Sequence, residues 1–192
     1  DYMLPLSTHI HAEALRVAAR WDGSLAALRL AINVTAADIA QPYFLPRLLE
    51  TIDRSAFPRH RLTIEITESG LIEDLGATAA LLQELRDAGL AVAVDDFGTG
   101  YSSLAYLKAL PLDYIKIDSG FAQDITGSVR DRIIVRGVIQ LAQSLGLKVI
   151  AEGVETEEQR AALAAEGCEI YQGFLRSKAV GSEELTRLAT AA

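Results

Sequence analysis

The chain has 192 residues, half of them hydrophobic, 23% charged and 6% aromatic, which fits one ordinary globular domain with a sizeable core. Its 26 acidic residues outnumber 18 basic ones for a formal net charge of −8, which argues against a general DNA or RNA grip through a basic face. The single cysteine, Cys168, excludes a disulfide scaffold and suits a reducing compartment, and no apolar run approaches the ~18 residues that cross a membrane.

No low-complexity segment or linker divides the sequence, so it reads as one unit, and no signal peptide opens it. Helical periodicity appears first over 11–20, and a strand follows over 28–34. A helix over 43–52 leads to a strand over 62–67, and a helix over 75–88 to a strand over 90–95. Strands over 114–117, 148–151 and 169–172 follow, with helices over 129–145 and 156–166 between them. Gly89, Gly146 and Gly167 each come after a helix and just before a strand, where a C-terminal cap belongs. Alternating strands and helices predict parallel βα units, in either an open doubly wound sheet or a closed barrel.

Polar residues choose between those two. Successive strands end in Asn33, Glu65, Asp95 with Asp96, Lys116, Glu152 and Gln172, about one βα unit apart. An open sheet gathers its ligand at one switch point between two strands. Six successive strand ends converge on one site only if the sheet curls, as in a TIM-like (β/α)8 barrel, whose catalytic groups line the C-terminal mouth. Six strands in 192 residues fall short of the eight strands and roughly 250 residues of such a barrel. The chain opens on a helix and begins with Asp rather than Met. The opening strands are therefore expected to precede Asp1, leaving 1–192 as one N-terminally truncated domain.

Asn33, Glu65, Asp95 and Asp96 supply three carboxylates and an amide oxygen, an all-oxygen set that suits Mg²⁺ or Mn²⁺. Adjacent Asp95 and Asp96 would let one carboxylate bridge two ions, the usual device for attacking a phosphodiester. Any one strand-end acid taken alone is as readily a helix cap; the whole series is much harder to explain that way. Lys116 alternates with Ile115 and Ile117, so the isoleucines should face the helices and the lysine the barrel interior. There it is either an ion-pair strut or a group that orients water and phosphate, the second being favoured. Glu152 ends the most apolar strand and is a candidate second-metal ligand or proton acceptor. Glu155 sits at a helix start, where a carboxylate also complements the helix dipole.

The run Asp95-Asp96-Phe97-Gly98-Thr99-Gly100-Tyr101-Ser102-Ser103 resembles the signature loop of EAL-domain cyclic-di-GMP phosphodiesterases. Ile32-Asn33-Val34, Glu65-Ile66-Thr67-Glu68-Ser69, Lys116-Ile117-Asp118, Ala151-Glu152-Gly153-Val154-Glu155-Thr156 and Gln172-Gly173-Phe174 match the family's order and spacing. The resemblance covers nearly the whole chain. It implies a TIM-like barrel that binds cyclic di-GMP and linearises it to pGpG with Mg²⁺ or Mn²⁺. It makes Asn33, Glu65 and Asp95 ligands of one metal, with Asp95 bridging to a second held by Asp96, and Asp118 a secondary candidate. Lys116 would orient the attacking water, and Glu152 would be the general base or a second-metal ligand. Glu68 would brace the loop after Phe97, while Glu155 and Gln172 complete the pocket. The family also suggests a homodimer through the region from Phe97 to Lys108, a cytoplasmic setting, and upstream sensory or cyclase domains, with no membrane segment in this chain.

The family's namesake Glu-Ala-Leu has no counterpart at its place. Glu13-Ala14-Leu15-Arg16 spells the letters but stands 20 residues before Asn33, inside a continuous helical stretch, and reads as a decoy. Ser119-Gly120, Arg176 and Ala179 also depart from the family's usual residues. Asp96-Phe97-Gly98 imitates a kinase triplet without its companions, and Gly98-Thr99-Gly100 is a poor dinucleotide fingerprint. His9, His11 and His60 lack metal spacing and are expected on exposed helix and loop positions. Three functions compete: a phosphodiesterase lacking its opening strands, a silent cyclic-di-GMP receptor, and another metal-dependent barrel such as an enolase-like enzyme. Retention of the polar strand ends favours the first, and the loop from Asp95 to Ser103 argues against the third.

Overall fold

A computed structural model of the chain describes residues 3–71, 75–98 and 104–190. Its strands are β1 (Leu30–Val34), β2 (Leu62–Thr67), β3 (Ala91–Phe97), β4 (Tyr114–Ile117), β5 (Lys148–Ala151) and β6 (Ile170–Tyr171). All pairings are parallel, and spatial order follows chain order from β1 to β6. No described strand reverses direction around a switch point, so the sheet winds one way, as a barrel wall does.

The helices between the strands are α1 (Met3–Ala18), α2 (Ala36–Ile39), α3 (Phe44–Ser55), α4 (Leu75–Asp87), α5 (Leu104–Ala109), α6 (Ser119–Gln123), α7 (Val129–Ser144), α8 (Glu157–Ala165) and α9 (Ser182–Thr190). Each long helix buries a stripe at helical spacing: His11, Leu15 and Ala18 on α1; Thr78, Leu82 and Leu85 on α4; Val135, Ile139 and Ala142 on α7. Against them pack Ile32 and Val34 of β1, Leu62, Ile64 and Ile66 of β2, Val92 and Val94 of β3, and Ile115 and Ile117 of β4, all at most 5% exposed. The main core is thus the layer between sheet and helices. The alternate strand positions are left to the other face, where the chemistry gathers.

Strands over 62–67, 114–117 and 148–151 have the expected bounds. β1 starts two residues late, β6 shrinks to two residues, and β3 runs on through Asp96 and Phe97. Helix α1 begins well before residue 11, because Pro5 lies in its first turns, where a missing N–H costs no intrahelical bond. Gly89, Gly146 and Gly167 adopt the left-handed backbone expected of helix caps, with φ of 87°, 75° and 95°. The Glu13-Ala14-Leu15-Arg16 run lies within α1. Leu15 is fully buried, while Glu13 and Arg16 pair on the exposed side. Among the described helices none is long and apolar enough to cross a membrane.

Candidate active site

Lys116 stands at the centre of the site. It lies on β4 between Ile115 and Ile117, and is 2% exposed. Its Nζ donates to Glu65 Oε2 at 2.9 Å on β2, to Asp95 Oδ1 at 2.9 Å on β3, and to Glu152 Oε1 at 2.8 Å just beyond β5. Three N–H donors meet three carboxylates, so in this geometry the lysine is an ion-pair strut. Burial alone would lower its pKa, but the bonds to Glu152, Glu65 and Asp95 raise it well above the lysine range. Burial pushes the Glu152 carboxyl up from its ordinary value; Lys116 opposes that shift and the nearby Asp95 adds to it.

Asp96 needs a special backbone. In a regular strand it would point opposite to Asp95, into the helix layer. Instead the β3–β4 register shifts between Val94 and Phe97, and Asp96 takes φ of 54°, in the left-handed region. Carboxylate oxygens of Asp95, Asp96 and Glu152 consequently all lie within 4.8 Å of one another. The Asp96 N–H donates to Asp95 Oδ1 at 3.1 Å. Burial first, then the charges of Asp95 and Asp118, raises the Asp96 pKa against a lowering by Lys116. Asp118 caps α6, accepting from the Gly120 N–H at 2.9 Å, with its charge beside Asp96. These crowded oxygens around one cation fit a hard divalent ion, whose charge would offset the repulsion that adds to burial in lifting both pKa values.

The remaining expected residues lie at neighbouring strand ends and turns. Asn33 is exposed and stands in register with Glu65 across the β1–β2 pair. Glu68, 5% exposed, accepts from the Gly98 N–H at 3.1 Å, at the start of the loop whose residues 99–103 lie outside those described. Glu155 is exposed and precedes the Thr156–Gln159 capping box of α8. Gln172 is exposed, but its backbone is fixed: its N–H donates to Ala151 O at 2.8 Å and its carbonyl accepts from the Val154 N–H at 3.1 Å. Gly173 permits that crossing, since a Cβ there would stand 2.1 Å from Val154 O. The structure therefore brings Glu65, Asp95, Asp96, Lys116 and Glu152 together, with Asp118 alongside. Asn33 stands beside Glu65 in register, Glu68 holds the Gly98 N–H, and Gln172 is tied by its backbone to the strand that Glu152 follows, while Glu155 makes no side-chain bond to the cluster among the described residues.

One histidine departs from expectation. His9 and His60 are exposed, but His11 is 7% exposed and donates its Nε2–H to the Asn33 carbonyl at 2.8 Å. The sequence does carry a signal for its burial, because His11 shares a helical stripe with Leu15 and Ala18.

A one-way parallel βα sheet with an acid cluster at its C-terminal ends defines a barrel-type α/β protein with a cation-binding mouth. The EAL domain family pattern matches residues 1–179, and the chain belongs to that family. It is 42% identical over 188 residues to the cyclic di-GMP phosphodiesterase PA2567 of Pseudomonas aeruginosa, covering 95% of this chain but only 31% of that protein. The EAL domain of Mycobacterium smegmatis DcpA superposes with a TM-score of 0.85 at 40% identity, covering 95% of this chain and 82% of that one. Klebsiella pneumoniae BlrP1, solved as a manganese/cy-diGMP complex, superposes with a TM-score of 0.84 at 32% identity, covering 92% of this chain and 45% of that one. The same protein is also solved as a calcium/cy-diGMP complex. These neighbours place the sheet in the TIM-like (β/α)8 class.

Proposed function

We propose that this chain binds cyclic di-GMP at the C-terminal mouth of its sheet and hydrolyses it to linear pGpG in bacterial second-messenger signalling. The observation that carries the reading is the buried Lys116 shared by Glu65, Asp95 and Glu152, with Asp96 turned in beside them. Mg²⁺ or Mn²⁺ suits this donor set. Asn33, Glu65 and Asp95 would hold one ion, and Asp95 with Asp96 a second, Asp118 being a further candidate. Bound ions would supply counter-charge to the phosphodiester and to the attacking and leaving oxygens.

The protein's own groups do the rest. Lys116 would orient the attacking water, releasing one carboxylate to free an N–H for it. Glu152, whose raised pKa brings it nearer neutrality, would take the water's proton as the oxygen–phosphorus bond forms and the bond to the leaving sugar oxygen breaks. Glu68 would hold the loop after Phe97, and Glu155 and Gln172 would line the nucleotide. The chain spans less than a third of its PA2567 relative. A cytoplasmic setting beside sensory or cyclase domains is part of the same proposal and rests on the family resemblance alone. Pairing would run through the region from Phe97 to Lys108.

The test is incubation with cyclic di-GMP and Mn²⁺, with products resolved by chromatography. Formation of pGpG that disappears in Asp95→Asn supports the reading. Binding without turnover would make the chain a receptor, and no binding at all would overturn the proposal.

A further inference from the structure

We infer that His11 is a positioning residue for Asn33, and through it for cation binding at the mouth. The inference rests on the reading of Asn33 as a metal ligand given above. Asn33 sits near the end of β1, an edge strand among the described strands, so β2 alone flanks it in the sheet. Its side-chain amide has no hydrogen bond among the described residues, and it is exposed. Among the described residues, nothing but its own backbone therefore aims that amide. On one side the backbone is fixed by the β1–β2 ladder. The other constraint is the His11 Nε2–H, 2.8 Å from the Asn33 carbonyl.

The donor is itself firmly held. His11 lies on the buried stripe of α1 with fully buried Leu15 one turn on, and α1 packs against both β1 and α3. A carbonyl only accepts, so Nε2 carries the hydrogen. His11 also lines a cavity of about 50 Å³ with Thr8, Asp38 and Gln41. Just beyond Asn33, the reciprocal Thr35–Asp38 capping box pins the next turn: the Thr35 N–H donates to Asp38 Oδ2 at 3.0 Å, and the Asp38 N–H donates to Thr35 Oγ1 at 3.2 Å. The Asn33 peptide is thus clamped between a strand partner, a buried imidazole and a capped turn. Of the three, the imidazole alone reaches the Asn33 peptide through a side chain. Partners that orient a ligand from behind typically change metal affinity by about 10- to 100-fold when removed.

Calorimetry with Mn²⁺ alone, on the parent chain, His11→Leu, His11→Gln and Asn33→Ala, tests this. Leu removes the donor, while the Gln amide reaches about as far as Nε2 and keeps it. The expected result is about tenfold weaker Mn²⁺ binding by His11→Leu, recovery to near the parent by His11→Gln, and a loss in Asn33→Ala at least as large as that in His11→Leu. Thermal melts without metal report whether each variant folds, and His11→Met replaces His11→Leu if the latter does not. Parent-like Mn²⁺ binding by the folded donor-less variant, beside a weakened Asn33→Ala, would overturn the role of His11 and leave the site reading standing. Parent-like binding by Asn33→Ala, or none by the parent, would overturn the site reading and this inference with it. A His11→Gln as weak as His11→Leu would also overturn it, because the hydrogen bond would not be what matters.

Discussion

Lys116 holds three carboxylates at once, so removing it does more than delete a positive charge. Lys116→Met would leave Glu65, Asp95 and Glu152 facing one another within the mouth. Breaking a buried pair in this way costs about 3–5 kcal/mol, whereas Glu65→Gln, which leaves the lysine two anions, should cost about 1–3 kcal/mol. Denaturant melts without divalent ions check the order; equal losses would mean that the lysine is not the hub. Asp96 gives the opposite expectation. Its left-handed backbone suits glycine better, so Asp96→Gly should stabilise the chain by up to about 1 kcal/mol, or roughly 2–4 °C. The same variant should bind Mn²⁺ more weakly, because one of three clustered oxygens is gone. A variant that is both less stable and an unchanged binder would contradict both halves of this account.

At the scale of elements, Glu166 ties two helices together. It follows α8 and accepts from Arg132 at 2.6 Å and Arg136 at 2.5 Å on α7, with its side chain 4% exposed. Those two guanidinium groups hold its carboxyl at about 2, against an ordinary value of 4.5. A depressed folded pKa contributes stability that is present above about 4.5 and lost as pH falls toward about 2. The stability gap between the parent and Glu166→Gln should therefore be constant from pH 7 to 5 and close below that. A gap that widened in acid would show that the arginines do not lower this carboxyl.

The elements also show what the sequence makes legible. Ile115-Lys116-Ile117 points to strand and face together, because one charged residue between two β-branched ones leaves a single arrangement that buries both isoleucines. The long helices could be read from stripes such as Val135, Ile139 and Ala142. Helices α2, α5 and α6 were not foreseen, since four to six residues do not complete two turns of a periodic pattern; α9, nine residues long, carried acidic residues in its first turn and Arg187 in its last, and was missed. At the site, spacing and strand ends pointed to Glu65, Asp95, Lys116 and Glu152. The turn that swings Asp96 into line, and the reach of His11 to Asn33, depend on a bulge and a helix packing that no local pattern encodes.

For the whole molecule, an ion held by the acid cluster should make stability depend on divalent ions. A ligand that binds only the folded state at a hundred times its Kd adds about 2.7 kcal/mol. For a domain of this size that is roughly 5–10 °C in Tm. Mn²⁺ should produce such a rise and equimolar NaCl should not; Asp95→Asn should abolish it. An equal rise in that variant would place the bound ion elsewhere.

The one-way order of the strands has a consequence for how the chain acquires its shape. Each described strand from β2 onward pairs back to the strand just before it in the chain, so no gap between neighbouring strands must be kept open for a later arrival. Contacts between neighbours span only about one βα unit, which keeps the loops to be closed short and their entropic cost nearly uniform. Assembly can therefore advance in the direction of synthesis, each new unit docking on a finished edge. The two-residue β6 is the last described strand to join, and it offers the least backbone for docking. Hydrogen exchange should find it the first to open, while β2 and β3, the longest of the strands flanked on both sides, persist longest.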